Sequence, residues 1–194
     1  MGQEYELKFR ATPELLRQVL EAFPGQLQKI AMETTYYDTE KQEISRRKYT
    51  LRRRLENGVS ICTLKTPAGG AARKEFEVRC DRIEDAIPEL CKLGAPGELL
   101  HFTNPVPVCG ARFTRIADTI SFDGSILELA MDDGVLLGGG REIPMCEIEV
   151  ELKAGSASDC DNFGALLAEK FRLQPEEKSK FCRAYALYKG ERHV

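Results

Sequence analysis

Hydrophobic and polar residues alternate from the first positions of the chain. Tyr5, Leu7 and Phe9 take one parity, and Glu4, Glu6 and Lys8 take the other. A strand over residues 3–10 therefore carries an apolar face and a charged face. The same two-residue period returns over 29–38, 49–56, 59–66, 73–79, 108–122, 126–131, 135–137 and 146–153. Asn57-Gly58, Asp123-Gly124, Asp133-Gly134 and Gly138-Gly139-Gly140 read as turns between these strands, because such pairs adopt positive φ at little cost. Successive hairpins imply antiparallel pairing.

Elsewhere the period lengthens to that of a helix. Thr12-Pro13-Glu14 supplies a hydroxyl cap, a proline for the first helical position and a carboxylate near the positive end of the dipole. Leu15, Leu16, Val19, Leu20 and Phe23 form the stripe that follows, and Pro24-Gly25 ends it. A second helix is expected over 81–93, with Asp81 and Glu84 as a capping box, Pro88 inside it and Gly94 as its stop. Ser158 with Asp161 predicts a third, carrying Phe163, Leu166, Leu167 and Phe171. Pro175 is expected to open a last helix ending near Gly190. Loops are expected at 67–72 and 94–107. Roughly eight strands and three or four helices make an α+β chain.

Composition narrows the chemistry. The 194 residues suit one domain, and 42% hydrophobic with 30% charged residues describes a globular chain. A net charge of −3 gives no bulk attraction to nucleic acid. Arg46-Arg47-Lys48 and Arg52-Arg53-Arg54 therefore read as solvated faces or local anion sites. No apolar run is long enough to span a membrane, and the start does not resemble a signal peptide. Seven cysteines without a Cys-x-x-Cys pair point to reduced thiols in a cytoplasmic protein. The two histidines, His101 and His193, are far apart, so a catalytic metal must be held by oxygen.

What remains is the polar parity of the strands. It holds Glu4, Glu6, Lys8, Arg52, Arg54, Lys65, Glu75, Glu77, Arg115, Glu128, Asp132, Glu147, Glu149 and Glu151. Like charges two apart on a strand lie about 7 Å from each other by the rise per residue. Such rows sit in water or gather around counter-charges. Facing outward they confer solubility; facing into a barrel they line a charged tunnel. Periodicity alone is the same in both cases. Parity does separate Arg53 from its neighbours and Arg112 from Arg115.

Glu4-x-Glu6-x-Lys8 resembles the signature of the CYTH family, the triphosphate tunnel metalloenzymes. Tyr36-Tyr37-Asp38, Leu51-Arg52-Arg53-Arg54, Thr63-Leu64-Lys65, Arg73-Lys74-Glu75, Phe113-Thr114-Arg115, Glu128 to Gly134 and Glu147-Ile148-Glu149 follow in that family's order, and Ser179 to Arg183 resembles its last motif. The resemblance spans the chain and is nearest to bacterial inorganic triphosphatases. It implies an eight-stranded antiparallel barrel with an open tunnel, in one domain over residues 1–194 with helices at 158–190 packed on it. It further implies metal-dependent hydrolysis of tripolyphosphate to pyrophosphate and phosphate. Lys8, Arg52, Arg54, Lys65, Arg115, Lys180 and Arg183 would bind the substrate. Glu4, Glu6, Glu147 and Glu149 would hold one or two Mg2+ or Mn2+ ions, with Glu75, Glu128, Asp132 and Glu151 as further candidates. Glu6, Lys8 and Lys65 would carry turnover. The same fold suits a class IV adenylate cyclase, a thiamine or nucleoside triphosphatase, or a polyphosphate-binding module without turnover. No nucleic acid or membrane partner is expected, and the protein is expected as a monomer or homodimer.

Overall fold

The computed structural model describes residues 2–69, 73–102 and 104–191, with side chains from Tyr5 onward. The side chain of Glu4, part of the expected 67–72 loop and His193 lie outside the described residues. Ten strands form one antiparallel sheet. In chain order they are β1 Gly2–Glu4, β2 Glu6–Arg10, β3 Gln28–Asp38, β4 Thr50–Glu56, β5 Val59–Pro67, β6 Arg73–Arg79, β7 Val106–Phe122, β8 Ser125–Gly138, β9 Arg141–Ala154 and β10 Gln174–Pro175. The helices are α1 Pro13–Ala22, α2 Glu43–Arg46, α3 Ile83–Lys92, α4 Ala157–Phe171 and α5 Lys180–Tyr188, with a 3-10 turn at Gly97–His101.

The sheet order is β1-β6-β5-β4-β3-β7-β8-β9-β2-β10. Only Tyr5 separates β1 from β2, yet β1 pairs with β6 and β2 with β9. The N-terminal segment is thus the seam of a curled, barrel-like sheet. The expected barrel is modified at this seam: the ladder is not one closed ring, because the segment changes partners at Tyr5.

Apolar residues take the outer parity and are covered by helices. Phe9, Leu127, Leu129, Met131, Ile148 and Val150 pack under α1 and α4, meeting Leu16, Val19, Phe163 and Leu167. Leu51, Cys62, Leu64 and Phe76 pack against Ile83, Ala86, Ile87 and Leu90 of α3 and Ile44 of α2. Each large buried side chain contributes about 1.5–3 kcal/mol of transfer free energy, so these two layers fix which parity faces out. A third cluster lies on the inner parity at one end of the cylinder. There Met32, Tyr36, Ala111, Phe113, Leu136 and Met145 receive Ala184, Phe181 and Tyr185 of α5. α5 is therefore an apolar plug against the inner wall. Gly138 permits the close approach, since a Cβ there would lie 2.5 Å from the Ala184 carbonyl oxygen.

Several local expectations are corrected. Asp133-Gly134 is no turn: β8 runs through it, and Gly134 is needed because a Cβ would sit 2.2 Å from the Arg112 carbonyl oxygen. The strands expected at 126–131 and 135–137 are thus one. The Asp81–Glu84 capping box does not form; Arg82 occupies the cap of α3 without a side-chain bond. Ser156, not Ser158, caps α4, because its backbone N–H is already tied to Ser125 Oγ at 2.9 Å. Pro175 does not open a helix: Gln174–Pro175 pair with β2, and Ser179 caps α5. The Asn57-Gly58 and Asp123-Gly124 hairpins form with positive φ at both residues.

Candidate active site

With the apolar parity turned toward the helices, the register brings the charged parity together on the inner wall. Across β2 and β9, Glu6 faces Glu151, Lys8 faces Glu149 and Arg10 faces Glu147. Across β9 and β8, Glu151 faces Glu128 and Glu147 faces Asp132; across β8 and β7, Asp132 faces Arg115. Ala130 and Ala117 share this face, and their small side chains leave room above them.

The densest cluster sits where α5 meets β7, β8 and β9. Arg115 grips Asp132 through Nε and Nη2, both at 2.8 Å, and also pairs with Glu149. Lys180 Nζ lies 2.8 Å from Asp132, 2.8 Å from Glu149 and 3.1 Å from Glu147. Arg183 pairs with Glu147 and lies 3.8 Å from Glu176. The Asp132 and Glu147 side chains are 0% exposed. Buried charges persist only when compensated, and three carboxylates here meet three cations. Burial opposes the charge on Lys180, but Glu149, Asp132 and Glu147 outweigh it and hold its pKa above the ordinary value. Burial also pushes Glu149 upward, yet Lys180 and Arg115 prevail and hold it below the usual carboxylate range. For Glu147 burial wins, and its pKa is raised. The Phe113 ring lies 5.2 Å from Lys180 Nζ, adding a cation–π contact.

The opposite wall is formed by β4 to β6. Arg52 and Lys65 each reach Glu75 at 3.4 Å. Arg54 pairs with Glu56 at 2.6 Å and Glu77 at 3.7 Å, while its Nε is buried without a hydrogen bond. Burial, then the neighbouring Arg52 charge, lowers the pKa of Arg54. A cation in that position gains from any anion brought to it. The fork geometry of arginine suits phosphate oxygens.

The rest of the charged parity lies between these walls. Lys8 holds Glu6 at 2.9 Å, and Lys153 holds Glu151 at 2.7 Å and Glu128 at 3.6 Å. Register sets Glu6, Glu151 and Glu128 side by side on three strands, about 4.5–5.5 Å apart between opposed Cβ atoms. Hard oxygen donors of this kind suit Mg2+ or Mn2+. Glu147 Oε2, buried without a hydrogen bond, is a further donor. Among the described residues, however, no three Asp, Glu, His or Cys side chains converge to hold an ion. The acids fit a divalent ion in chemistry, but they are turned toward ammonium and guanidinium groups.

The structure thus gathers Glu6, Lys8, Arg52, Arg54, Lys65, Glu75, Arg115, Glu128, Asp132, Glu147, Glu149, Glu151, Lys180 and Arg183 on the inner wall. Glu4 has its backbone opposite Arg73. Arg53 bonds the Asp81 carbonyl on the outer side, and Arg112 pairs with Glu142 in solvent. Arg73 bonds backbone carbonyls of Lys48 and Lys65 at the rim. Tyr36 is buried against Phe181, and Tyr37 packs beneath α3. Glu176 belongs to no motif in the sequence, yet it is 7% exposed, pairs with Arg10 at 3.1 Å and donates its backbone N–H to the Lys8 carbonyl. Its only sequence signal was an acidic pair after Pro175, where surface exposure is the usual outcome.

Known proteins share this architecture. A candidate adenylyl cyclase from Hippeastrum, described as having a dominant triphosphatase activity, is 16% identical; the match covers 98% of this chain and 97% of that one, with a TM-score of 0.63. The PH1819 protein of Pyrococcus horikoshii is 21% identical over 93% of this chain and 97% of its own, with a TM-score of 0.62. At such identities these likenesses concern the fold. An inorganic triphosphatase of Haemophilus influenzae is 32% identical over 197 residues, covering 96% of this chain and 55% of that protein. The chain therefore spans about half the length of that curated relative. The CYTH domain model matches residues 2–185. The chain belongs to the CYTH-domain family.

Proposed function

We propose that the chain is a triphosphatase that hydrolyses inorganic tripolyphosphate to pyrophosphate and phosphate with Mg2+ or Mn2+. The observation that carries this reading is the coexistence of buried basic and acidic rows on one inner wall. A polyanion of charge about −4 to −5 needs the bases, and only a cation reconciles it with the acids, since phosphoryl transfer asks mainly for positioning and neutralisation. The relationship to the Haemophilus influenzae inorganic triphosphatase supports the substrate class.

Arg52, Arg54 and Lys65 seat one end of the phosphate chain, and Arg115, Lys180 and Arg183 receive the other. Glu4, Glu6, Glu147 and Glu149 would hold the ion, with Glu75, Glu128, Asp132 and Glu151 as further candidates. When bound, the ion supplies charge neutralisation and Lewis acidity at the phosphoryl oxygens. Lys8 holds Glu6 toward the lumen, where that carboxylate orients the attacking water and takes its proton. Residues 1–194 act as one tunnel domain, and the seven free cysteines suit a reducing cytoplasm.

Incubation with tripolyphosphate, ATP or thiamine triphosphate, each with Mg2+ or Mn2+, tests the reading. Phosphate release from tripolyphosphate, lost in Glu6→Ala and Lys65→Ala, is expected. Cyclic AMP from ATP would replace it with a cyclase, and tight binding without turnover with a polyphosphate-binding module.

A further inference from the structure

The carboxylates best placed to take a divalent ion on the α5 side are already neutralised from within the chain. Lys180 Nζ sits within 3.1 Å of Asp132, Glu147 and Glu149 together, so the positive charge these three acids share is an ammonium group. Arg115 and Arg183 complete the set, so three acids meet three bases. Two of those cations, Lys180 and Arg183, stand on α5, a separate element that reaches the inner wall through apolar contacts and a close approach at Gly138.

We propose that Lys180 is an internal stand-in for the metal ion, so that ion binding at Glu147 and Glu149 is coupled to binding of an oxyanion. An ion arriving alone must expel an ammonium group from a buried cluster and leave it unpaired, which is costly. An oxyanion offers Lys180 and Arg183 other partners, and their departure frees the carboxylates. Linkage makes the effect reciprocal: the oxyanion raises affinity for the ion by the factor by which the ion raises affinity for the oxyanion. The chain thereby discriminates against free metal and favours a metal–phosphate pair. This rests on the ligand set given under the proposed function but not on the reaction catalysed.

The test reads Mn2+ binding without turnover, by electron paramagnetic resonance of free Mn2+ at fixed pH. Three proteins are compared: wild type, Lys180→Met and Lys180→Arg. Sulfate, a tetrahedral oxyanion that chelates Mn2+ weakly, serves as the anion. Wild type and Lys180→Arg are expected to bind Mn2+ alone about tenfold more weakly than Lys180→Met, within the usual range of coupling between sites. Saturating sulfate is expected to strengthen Mn2+ binding to wild type and leave Lys180→Met nearly unchanged. Equal Mn2+ affinity in wild type and Lys180→Met, or no response of wild type to sulfate, overturns the proposal. Should Lys180→Met fail to fold by circular dichroism, the sulfate response of wild type decides alone. A protein that couples sulfate to Mn2+ yet releases no phosphate from tripolyphosphate would overturn the proposed function and uphold this inference.

Discussion

Two halves of the inner wall carry the same kinds of side chain and differ in how they are used. On β7, β8, β9 and α5 the charges are matched and close, with Arg115 held to Asp132 by two 2.8 Å bonds and Lys180 among three carboxylates. On β4, β5 and β6 the contacts to Glu75 are 3.4 Å, and Arg54 keeps a buried Nε without an acceptor. The first half is held by close mutual ion pairs, although Arg183 Nε and Glu147 Oε2 are buried there without a hydrogen bond. In the second, burial and the Arg52 charge oppose the cation on Arg54, which would therefore gain from an incoming anion. Substitutions in the two halves should therefore separate stability from binding.

Asp132→Ala should show the largest effect on folding. It strips the common partner from Arg115 and Lys180 and leaves two buried cations short of an acid, a change of about 3–5 kcal/mol, read as a lower midpoint in urea. Arg54→Ala should do the reverse. Because burial and the Arg52 charge already oppose its cation, its stability in urea should stay closer to wild type than that of Asp132→Ala, while kcat/KM for tripolyphosphate falls by about a hundredfold. If Arg54→Ala unfolds the protein, or Asp132→Ala spares it, the contrast between the halves fails.

Gly138→Ala sharpens the comparison from the backbone. The new methyl would meet the Ala184 carbonyl oxygen at 2.5 Å and the Tyr188 nitrogen at 2.7 Å, so α5 must move off the wall. A loss of about 1–3 kcal/mol is expected. Hydrogen exchange should quicken in α5 and remain slow in β4 and β5.

The smallest effect is on pH dependence. Glu149 has a folded pKa below its unfolded value, so it contributes stability above the ordinary carboxylate pKa of about 4.3 that is lost as pH falls below it. Glu147, raised by burial, acts with the opposite sign and partly offsets this. Lys180 is raised, so its contribution is complete below about pH 10.4 and is lost as pH rises beyond it. Lys180→Met should flatten both limbs of the stability curve, measured by thermal unfolding from pH 3 to 11.

The parity of the walls was legible in the sequence because a strand's period of two is rigid. Arg52 and Arg54 point in while Arg53 points out, and Arg115 is separated from Arg112 as the count requires. What parity left open was the hand of the sheet, in or out. That is fixed by the apolar layers beneath α1, α3 and α4, a long-range fact. Local signals failed where tertiary contacts outbid them. Asp133-Gly134 looks like a turn, but its glycine serves the close passage of Arg112. Pro175 looks like a helix start, but pairing with β2 claims it. The partners chosen by each charge, such as Lys153 with Glu151 or Arg183 with Glu176, depend on rotamers and were invisible to spacing alone.

The central claim is that the converging charges inside the curled sheet are the seat of a metal-bound chain of phosphates. A crystal structure of the protein soaked with tripolyphosphate and Mn2+ tests it most directly. The account predicts phosphate density between Arg54 and Lys180, with the Lys180–Glu149 contact broken and Mn2+ against the carboxylates of β2 and β9. Ligand bound only on the outer wall, with the inner ion pairs intact, would contradict it.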